Sequence, residues 1–292
     1  MLATRQGISL VETTVVIAII TILVSMSLVA VQGARESSRR IQCQNNLHQI
    51  GIAITNFTQS TRAFPSLFAN RGTKVDAALD QSAFVTILPE LEVIFIKSDP
   101  NFPTDDPKNL PPSILRCPAG NELLGYRYSY GSGVRTLDKL DGILRPHKGL
   151  NPAEVTDGLS NTSLMAERMS GKEHSKPIGM ALFPIYLTDS RFADDCMQLN
   201  TTTAFVTDVG VHWQGYQPRD LVYSHFSSPN NTHWDCQGGF LHQLISARSY
   251  HRGGVLVLFA DGRVTWVSKN MDVTTWRALG TVAGNEPISD TP

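Results

Sequence analysis

The chain has 292 residues, of which 41% are hydrophobic and 17% are charged, and its formal net charge at pH 7 is −1. This nearly neutral charge argues against the strongly basic nucleic-acid-binding proteins and against a polyanionic tail, so we expect no nucleic-acid partner. The length is sufficient for one sizeable domain in addition to a membrane anchor.

The N-terminal region consists of a short leader followed by a long apolar segment. The leader ends at Gly7, the next residues are Ile8 to Glu12, and residues 13–34 carry no charge. As a helix, the uncharged segment would be roughly 33 Å long, which is enough to cross a bilayer. In a cleaved secretory signal the small-residue cleavage site follows the apolar core, whereas here the glycine precedes it. We therefore expect the apolar segment to remain on the mature protein.

Glu12 is unusual because it lies close to this apolar segment. A carboxylate at the centre of a membrane helix costs about 2.5–3.5 kcal/mol, so such residues usually have a partner. One interpretation is a side chain that extends to the lipid headgroups. The other comes from a resemblance, since the sequence from Gly7 to Glu12 is similar to the leader junction of type IV pilins and type II secretion pseudopilins.

The resemblance implies that a prepilin peptidase cuts between Gly7 and Ile8 and that the new amino terminus is methylated. It also implies that Glu12 pairs with the amine of Ile8 from a neighbouring subunit. Ile8 replaces the usual Phe of these proteins but is also apolar. The expected partners are therefore the prepilin peptidase, other pilin or pseudopilin subunits, and the membrane.

The resemblance further implies a single-pass protein of the cell inner (cytoplasmic) membrane, with a periplasmic or extracellular globular domain. The count of basic residues indicates the opposite orientation. The leader contains only Arg5, whereas Arg35, Arg39 and Arg40 follow the apolar segment. We adopt the orientation that the resemblance implies.

After residue 34 the pattern becomes that of an amphipathic helix. One apolar stripe recurs at spacings of four and three residues and comprises Cys43, Leu47, Ile50, Ile54 and Phe57. Arg35, Glu36, Arg39 and Arg40 are assigned to the rest of the helix surface. We predict a leader over 1–7, a transmembrane and assembly helix over 8–58, and a β-rich globular domain over 59–292. The fold class is α+β and pilin-like.

The middle of the chain predicts short strands and turns. The apolar run 83–91 is compatible with either helix or strand, while 126–130 and 163–167 indicate strands and 155–162 a turn. The proline-rich stretch 99–112 indicates a surface loop. This loop offers oxygen ligands for a calcium ion, although their spacing matches no defined calcium loop: Asp99, Asn101, Asp105 and Asp106. No other cofactor is expected.

The clearest local structure lies near the carboxyl terminus. Two apolar runs, 255–260 and 263–268, flank Asp261 and Gly262, which predicts a β-hairpin with a two-residue type I′ turn. Asp272 is expected to cap a short helix.

Motifs along nearly the whole chain resemble a large family of pilin-like planctomycete proteins known as domain of unknown function 1559. They are the segments 7–12, 34–36, 39–47, 116–118 and 156–162, and His251 followed after nine residues by Asp261 and Gly262. The resemblance implies the architecture more than the biochemical role. For His251 we favour hydrogen bonding to backbone at the start of the hairpin, with a metal or recognition role as the alternative.

The sequence gives little support for an enzyme. It contains no GxSxG, Walker or GxGxxG motif. The histidines of the last third lack the spacings of linear zinc motifs, so we expect packing or surface roles and assign no metal to them: His212, His225, His233, His242 and His251.

The four cysteines would lie outside the cytoplasm and could form disulfides in three complete pairings. We favour a bridge between Cys196 and Cys236, because both lie in the polar, loop-rich later region. Cys43 could instead pack as a buried thiol on the helix stripe.

Two functions remain open. The first is a non-enzymatic pilin or pseudopilin subunit that assembles into a pilus or a type II secretion pseudopilus. The second is a pilin-anchored surface protein that binds a solute or polysaccharide through aromatic residues. The aromatic candidates are Trp213, Tyr216, Tyr223 and Trp234.

Overall fold

The computed structural model confirms an α+β fold in which a long N-terminal helix packs on a mixed domain. It describes residues 10–69, 81–93, 110–120, 123–132, 141–146, 148–171, 180–182, 189–199, 205–206, 209–215, 217–238 and 243–286.

The helices differ greatly in length. The first has 52 residues, which corresponds to about 78 Å, and the others are short. In chain order the α-helices are α1 (Leu10–Thr61), α2 (Ala83–Ile87), α3 (Asp189–Gln198), α4 (Pro218–Leu221) and α5 (Val273–Ala278). Within the described residues, single 3₁₀ turns occur at Pro89–Leu91, Ser113–Leu115 and Pro152–Glu154.

The strands of the described ranges form three sheets. A small antiparallel pair contains β1 (Phe68–Ala69) and β2 (Gln81–Ser82). The main sheet has the order β11-β10-β4-β3-β7 and is antiparallel except between β3 and β7: β3 (Tyr126–Ser129), β4 (Ser163–Glu167), β7 (Val222–Tyr223), β10 (Gly254–Phe259) and β11 (Val264–Ser268). The third sheet has the order β6-β5-β8-β9: β5 (Met180–Leu182), β6 (Phe205–Val206), β8 (Asp235–Gln237) and β9 (Gln243–Leu244).

The second half of α1 packs on the main sheet, as the apolar stripe predicted. Cys43, Leu47, Ile50 and Ile54 are buried in the principal core. Gly51 lies over β10, and a Cβ added there would lie 2.8 Å from Cδ1 of Leu258. The close approach of the helix backbone to the strand therefore depends on a residue without a side chain.

The other local predictions that fall within the described residues hold with one difference. The run 83–91 is helical, and β3, β4 and the Asp272-capped α5 lie where they were expected. The hairpin is present, but its turn is different, because Phe259 N–H donates to Arg263 O and three residues, 260–262, lie between this hydrogen-bonded pair. Only Gly262 has a positive φ there, whereas a type I′ turn requires positive φ at both central residues.

A buried charge cluster connects the main sheet to the third sheet. The Asp235 carboxylate of β8 accepts from Arg168, which follows β4, at 2.5 Å and lies 2.8 Å from Arg248. All three side chains are nearly inaccessible to solvent. Two guanidinium groups therefore share one buried carboxylate as a counter-charge.

Replacement of Asp235 by Asn should lower the free energy of unfolding by about 3–5 kcal/mol, because both arginines would lose their buried counter-charge. Thermal unfolding of the full chain in detergent, followed by circular dichroism, measures this loss. Asp261→Asn is the matched control, since Asp261 is partly exposed and should change stability by less than about 0.5 kcal/mol. Equal stability of the two variants would contradict the role of Asp235 as the counter-charge of Arg168 and Arg248.

Candidate functional site

His251 occupies a buried position immediately before β10. Its Nδ1 lies 2.6 Å from Oε1 of Glu36 on α1. Because an ionised carboxylate can only accept, this contact places the proton on Nδ1. The other ring nitrogen, Nε2, lies 3.5 Å from Oε1 of Glu167 and 3.7 Å from Sγ of Cys117. The ring therefore connects the long helix to the interior of the domain.

Glu167 is the last residue of β4 and is also buried. Its Oε2 accepts the backbone N–H of Leu256 on β10 at 2.8 Å, so its Oε1 faces His251 and Cys117. Burial raises the pKa of Glu167, and the charges of His251 and Arg40 oppose that rise. The backbone contact fixes the orientation of the carboxyl group.

Cys43 and Cys117 form a disulfide beside these two residues, with a Cα–Cα distance of 5.3 Å. Cys43 lies on α1, and Cys117 follows the 3₁₀ turn that ends at Leu115. The expectation that Cys43 packs as a free thiol is therefore wrong. Next to the bridge, the Asn46 side chain donates to Arg116 O at 3.0 Å. The helix is thus attached covalently and by hydrogen bonds to the same turn.

Trp266 of β11 contacts the helix side of the site. The Arg40 guanidinium lies 3.7 Å from the centroid of the Trp266 ring, which is a cation–π contact. The Trp266 ring in turn lies edge-on to His251. Glu36, Arg40 and Cys43 therefore all face the domain.

The sequence analysis missed Glu36 and Glu167. For Glu36 a signal was present, because Glu36, Arg40, Cys43 and Leu47 continue the apolar stripe at spacings of four, three and four. A stripe defined by apolar residues alone leaves out Glu36 and Arg40, although they lie on the same helix face. For Glu167 no local signal existed, since its neighbours come from distant segments.

The motif that joins His251 to Asp261 and Gly262 does not form one site. β10 separates His251 from the turn, and its six residues span roughly 20 Å. Asp261 Oδ1 accepts the N–H of Arg263 within the turn. His251 does not fulfil the expected backbone role either, because its ring contacts carboxylates and a sulfur.

The other expected residues lie elsewhere. Glu12 is in the first described turn of α1 and is exposed. Gly7, Ile8 and the four residues proposed for calcium lie outside the described residues. Cys196 and Cys236 form a disulfide with an S–S distance of 2.00 Å inside a second, smaller hydrophobic cluster.

His225 is a buried packing residue. It lies between the rings of Tyr223 and Trp276, and burial lowers its pKa to about 3. It is therefore neutral at physiological pH. His242 lies outside the described residues.

Replacement of Glu36 by Ala should release Nδ1 of His251, so that the fraction of the ring protonated on Nε2 increases. Long-range ¹H–¹⁵N NMR of the full chain in detergent reports this tautomer. Because Glu36 is 43% exposed, the stability loss should be only about 1 kcal/mol. Arg39→Ala is the control, since Arg39 binds the other oxygen of Glu36. An unchanged tautomer in Glu36→Ala would show that this carboxylate does not orient the ring.

Comparison with known proteins identifies the family. A family model named SBP_bac_10 and described as "Protein of unknown function (DUF1559)" matches residues 32–119 and 126–274. No curated protein and no solved structure gives a match. The matched ranges include His251 and four residues around it: Glu36, Cys43, Cys117 and Glu167. Because the match extends over most of its length, the chain belongs to this family of unknown function.

Proposed function

We propose that the protein is a non-enzymatic, membrane-anchored subunit of pilin or pseudopilin type that assembles through the first half of α1. The observation that carries the proposal is the division of this one helix into two halves. Residues 10–35 are exposed, whereas the face from Cys43 to Ile54 is buried on the domain.

The exposed half of α1 is strongly apolar. Its large side chains are about half to three-quarters accessible, with Ile17 at 56% and Val29 at 74%. Among the described residues, α1 is the one helix long and apolar enough to cross a membrane. Such a surface requires lipid or like helices around it. Membership of the family and this helix are together compatible with a membrane-anchored surface protein.

The helix is also continuous between its two halves. α1 has no break from Leu10 to Thr61, so the apolar half projects away from the domain as a rod. A projecting apolar helix can pack side by side with copies of itself while the domains remain outside. Glu12 then lies at the far end of the rod, where a neighbouring amine would compensate its charge. This geometry supports assembly with a defined register.

The alternative of a binding module is less well supported. Three of the aromatic residues considered for ligand binding, Trp213, Tyr223 and Trp234, are buried in the cores. Tyr216 lies outside the described residues. These three residues therefore pack in the cores, and no observation among the described residues favours the binding function.

The residues around His251 agree with a role without catalysis. A Cys, a His and a Glu lie together, which is a combination that some enzymes use for nucleophilic catalysis. Here the sulfur of Cys117 is bonded to Cys43, and both cysteines are buried. A disulfide sulfur is not an activated thiolate, so we interpret the cluster as structural.

The first test is intact and N-terminal peptide mass spectrometry of the protein from its native membrane fraction. The expected result is a mature chain that begins at methylated Ile8, and loss of this processing when Gly7 is replaced by Val. An uncut Met1 would contradict prepilin processing and would leave the helix as a plain anchor.

The second test separates assembly from anchoring. Glu12→Ala should still be cleaved and membrane-bound but should lose most of its high-molecular-weight assemblies after cross-linking, because the charge pair between neighbours is gone. Thr14→Ala is the matched control, since the Thr14 hydroxyl already donates to Val11 O of its own helix. Wild-type assembly of Glu12→Ala would overturn the proposed role of Glu12.

A further inference from the structure

The most unusual group in the described part of the chain is the buried set of Cys43, Cys117, Glu167 and His251. One ligand atom from each residue lies within 4.8 Å of every other, and all four residues are buried. They come from α1, from the turn after Leu115, from the end of β4 and from the segment before β10. We propose that these four residues form a zinc site when the Cys43–Cys117 disulfide is reduced.

The distances between the ligand atoms support a tetrahedral site. Zinc binds sulfur at about 2.3 Å and nitrogen or oxygen at about 2.0–2.2 Å, so the edges of such a tetrahedron are about 3.3–3.8 Å. Cys117 Sγ lies 3.6 Å from Glu167 Oε1 and 3.7 Å from His251 Nε2, and those two atoms are 3.5 Å apart. Three corners of the tetrahedron are therefore already in place around a common centre.

The fourth corner is the sulfur of Cys43. In the disulfide it is bonded to Cys117, and reduction would allow the two sulfurs to separate to the distance that zinc thiolates require. The Cα atoms of the two cysteines are 5.3 Å apart, and their side chains need only rotate to make this change. No movement of α1 relative to the domain is required.

The surroundings hold the ligands as metal-binding residues are usually held. A metal-binding histidine generally donates its second N–H to a carboxylate, which directs the lone pair of the other nitrogen to the metal. Glu36 accepts from Nδ1 of His251 in this way. Leu256 N–H binds one oxygen of Glu167 and leaves the other directed to the centre. Arg40 lies close enough to lower the pKa of Glu167 and so compensates part of the negative charge.

The chemistry balances with a dithiol as the reductant. Two electrons and two protons pass from the dithiol to the Cys43–Cys117 bond, which breaks to give two thiols, and the dithiol becomes a disulfide. Zinc then displaces one proton from each thiol, and one from Glu167 where that group is protonated, and these protons pass to solvent. His251 binds zinc through the lone pair of Nε2, and where that nitrogen carries a proton, this proton also passes to solvent.

The linear patterns of the sequence do not reveal this site. No two of the ligands have the spacing of a zinc motif, and the expectation that the histidines bind no metal rests on spacing alone. The fold brings together residues separated by more than two hundred positions. The oxidised chain attaches α1 to the domain by a disulfide, and the reduced chain would attach it by a zinc ion.

The test uses the full chain in detergent, without oxygen, with and without a phosphine reductant. After incubation with Zn²⁺ and desalting, elemental analysis should find about one zinc per reduced chain and none per oxidised chain. Co²⁺ in place of zinc should give the thiolate-to-cobalt charge-transfer band and the strong visible absorption of a tetrahedral centre.

Cys43→Ser/Cys117→Ser is the matched control, because it keeps the Cys196–Cys236 pair, whose reduced thiols could bind zinc by themselves. It should lose the tetrahedral cobalt spectrum, as should His251→Ala. Glu36→Ala should keep the spectrum but bind zinc about ten- to one-hundred-fold more weakly, since it removes only the orienting carboxylate. Asp261→Asn, at the other end of the hairpin, should bind like the wild type.

Circular dichroism shows whether each sample is folded, so that a failure to bind zinc can be distinguished from unfolding. A reduced wild-type chain that stays folded but takes up no zinc overturns the proposal, and so does one that unfolds and does not refold when zinc is added. Equal zinc uptake by the double serine variant, or by the oxidised wild type, also overturns it. The proposal is supported if the reduced wild type binds zinc and gives a tetrahedral cobalt spectrum, whereas the oxidised wild type and the double serine variant do neither.

Discussion

The structure depends on a single helix that must satisfy two different environments along its length. Its first half is apolar around the entire circumference, while its second half is apolar on one face only. Only that one face is buried against the main sheet, where the glycine at position 51 allows the helix backbone to approach β10. The rest of the domain is arranged around this contact, because the buried face of α1 is part of the principal hydrophobic core. The helix is therefore both the anchor and a structural element of the folded domain.

A polar cluster lies where the helix meets the domain, a position at which an apolar core alone would be expected. Its carboxylates and imidazole have partners, so the cost of burying them is offset. The cluster also provides directionality that apolar contacts lack, because hydrogen bonds to His251 fix the rotation of α1 about its axis. A rotation by one residue would move Glu36 and Cys43 away from their partners. The cluster thus fixes how the exposed half of α1 is rotated relative to the domain.

Sequence reasoning predicted the elements that are governed by local periodicity. The long helix, the strands predicted at 126–130 and 163–167, the hairpin and the Asp272 cap all follow from patterns within a few residues. It did not predict the three-residue hairpin loop, because the dipeptide Asp261-Gly262 fits two kinds of turn. It also did not predict the cluster around His251. Those residues are brought together by sheet pairing and by helix docking, and no linear spacing records such contacts.

The Cys43–Cys117 bond has a mechanical consequence for a protein held at a membrane. When the membrane-embedded end is pulled, the load travels along the continuous helix and reaches Cys43 before it reaches Leu47, Ile50 or Ile54. The covalent bond then passes the force to the turn at Cys117. The apolar contacts further along the helix are shielded from shear, and the domain resists peeling from its anchor for as long as that bond is intact.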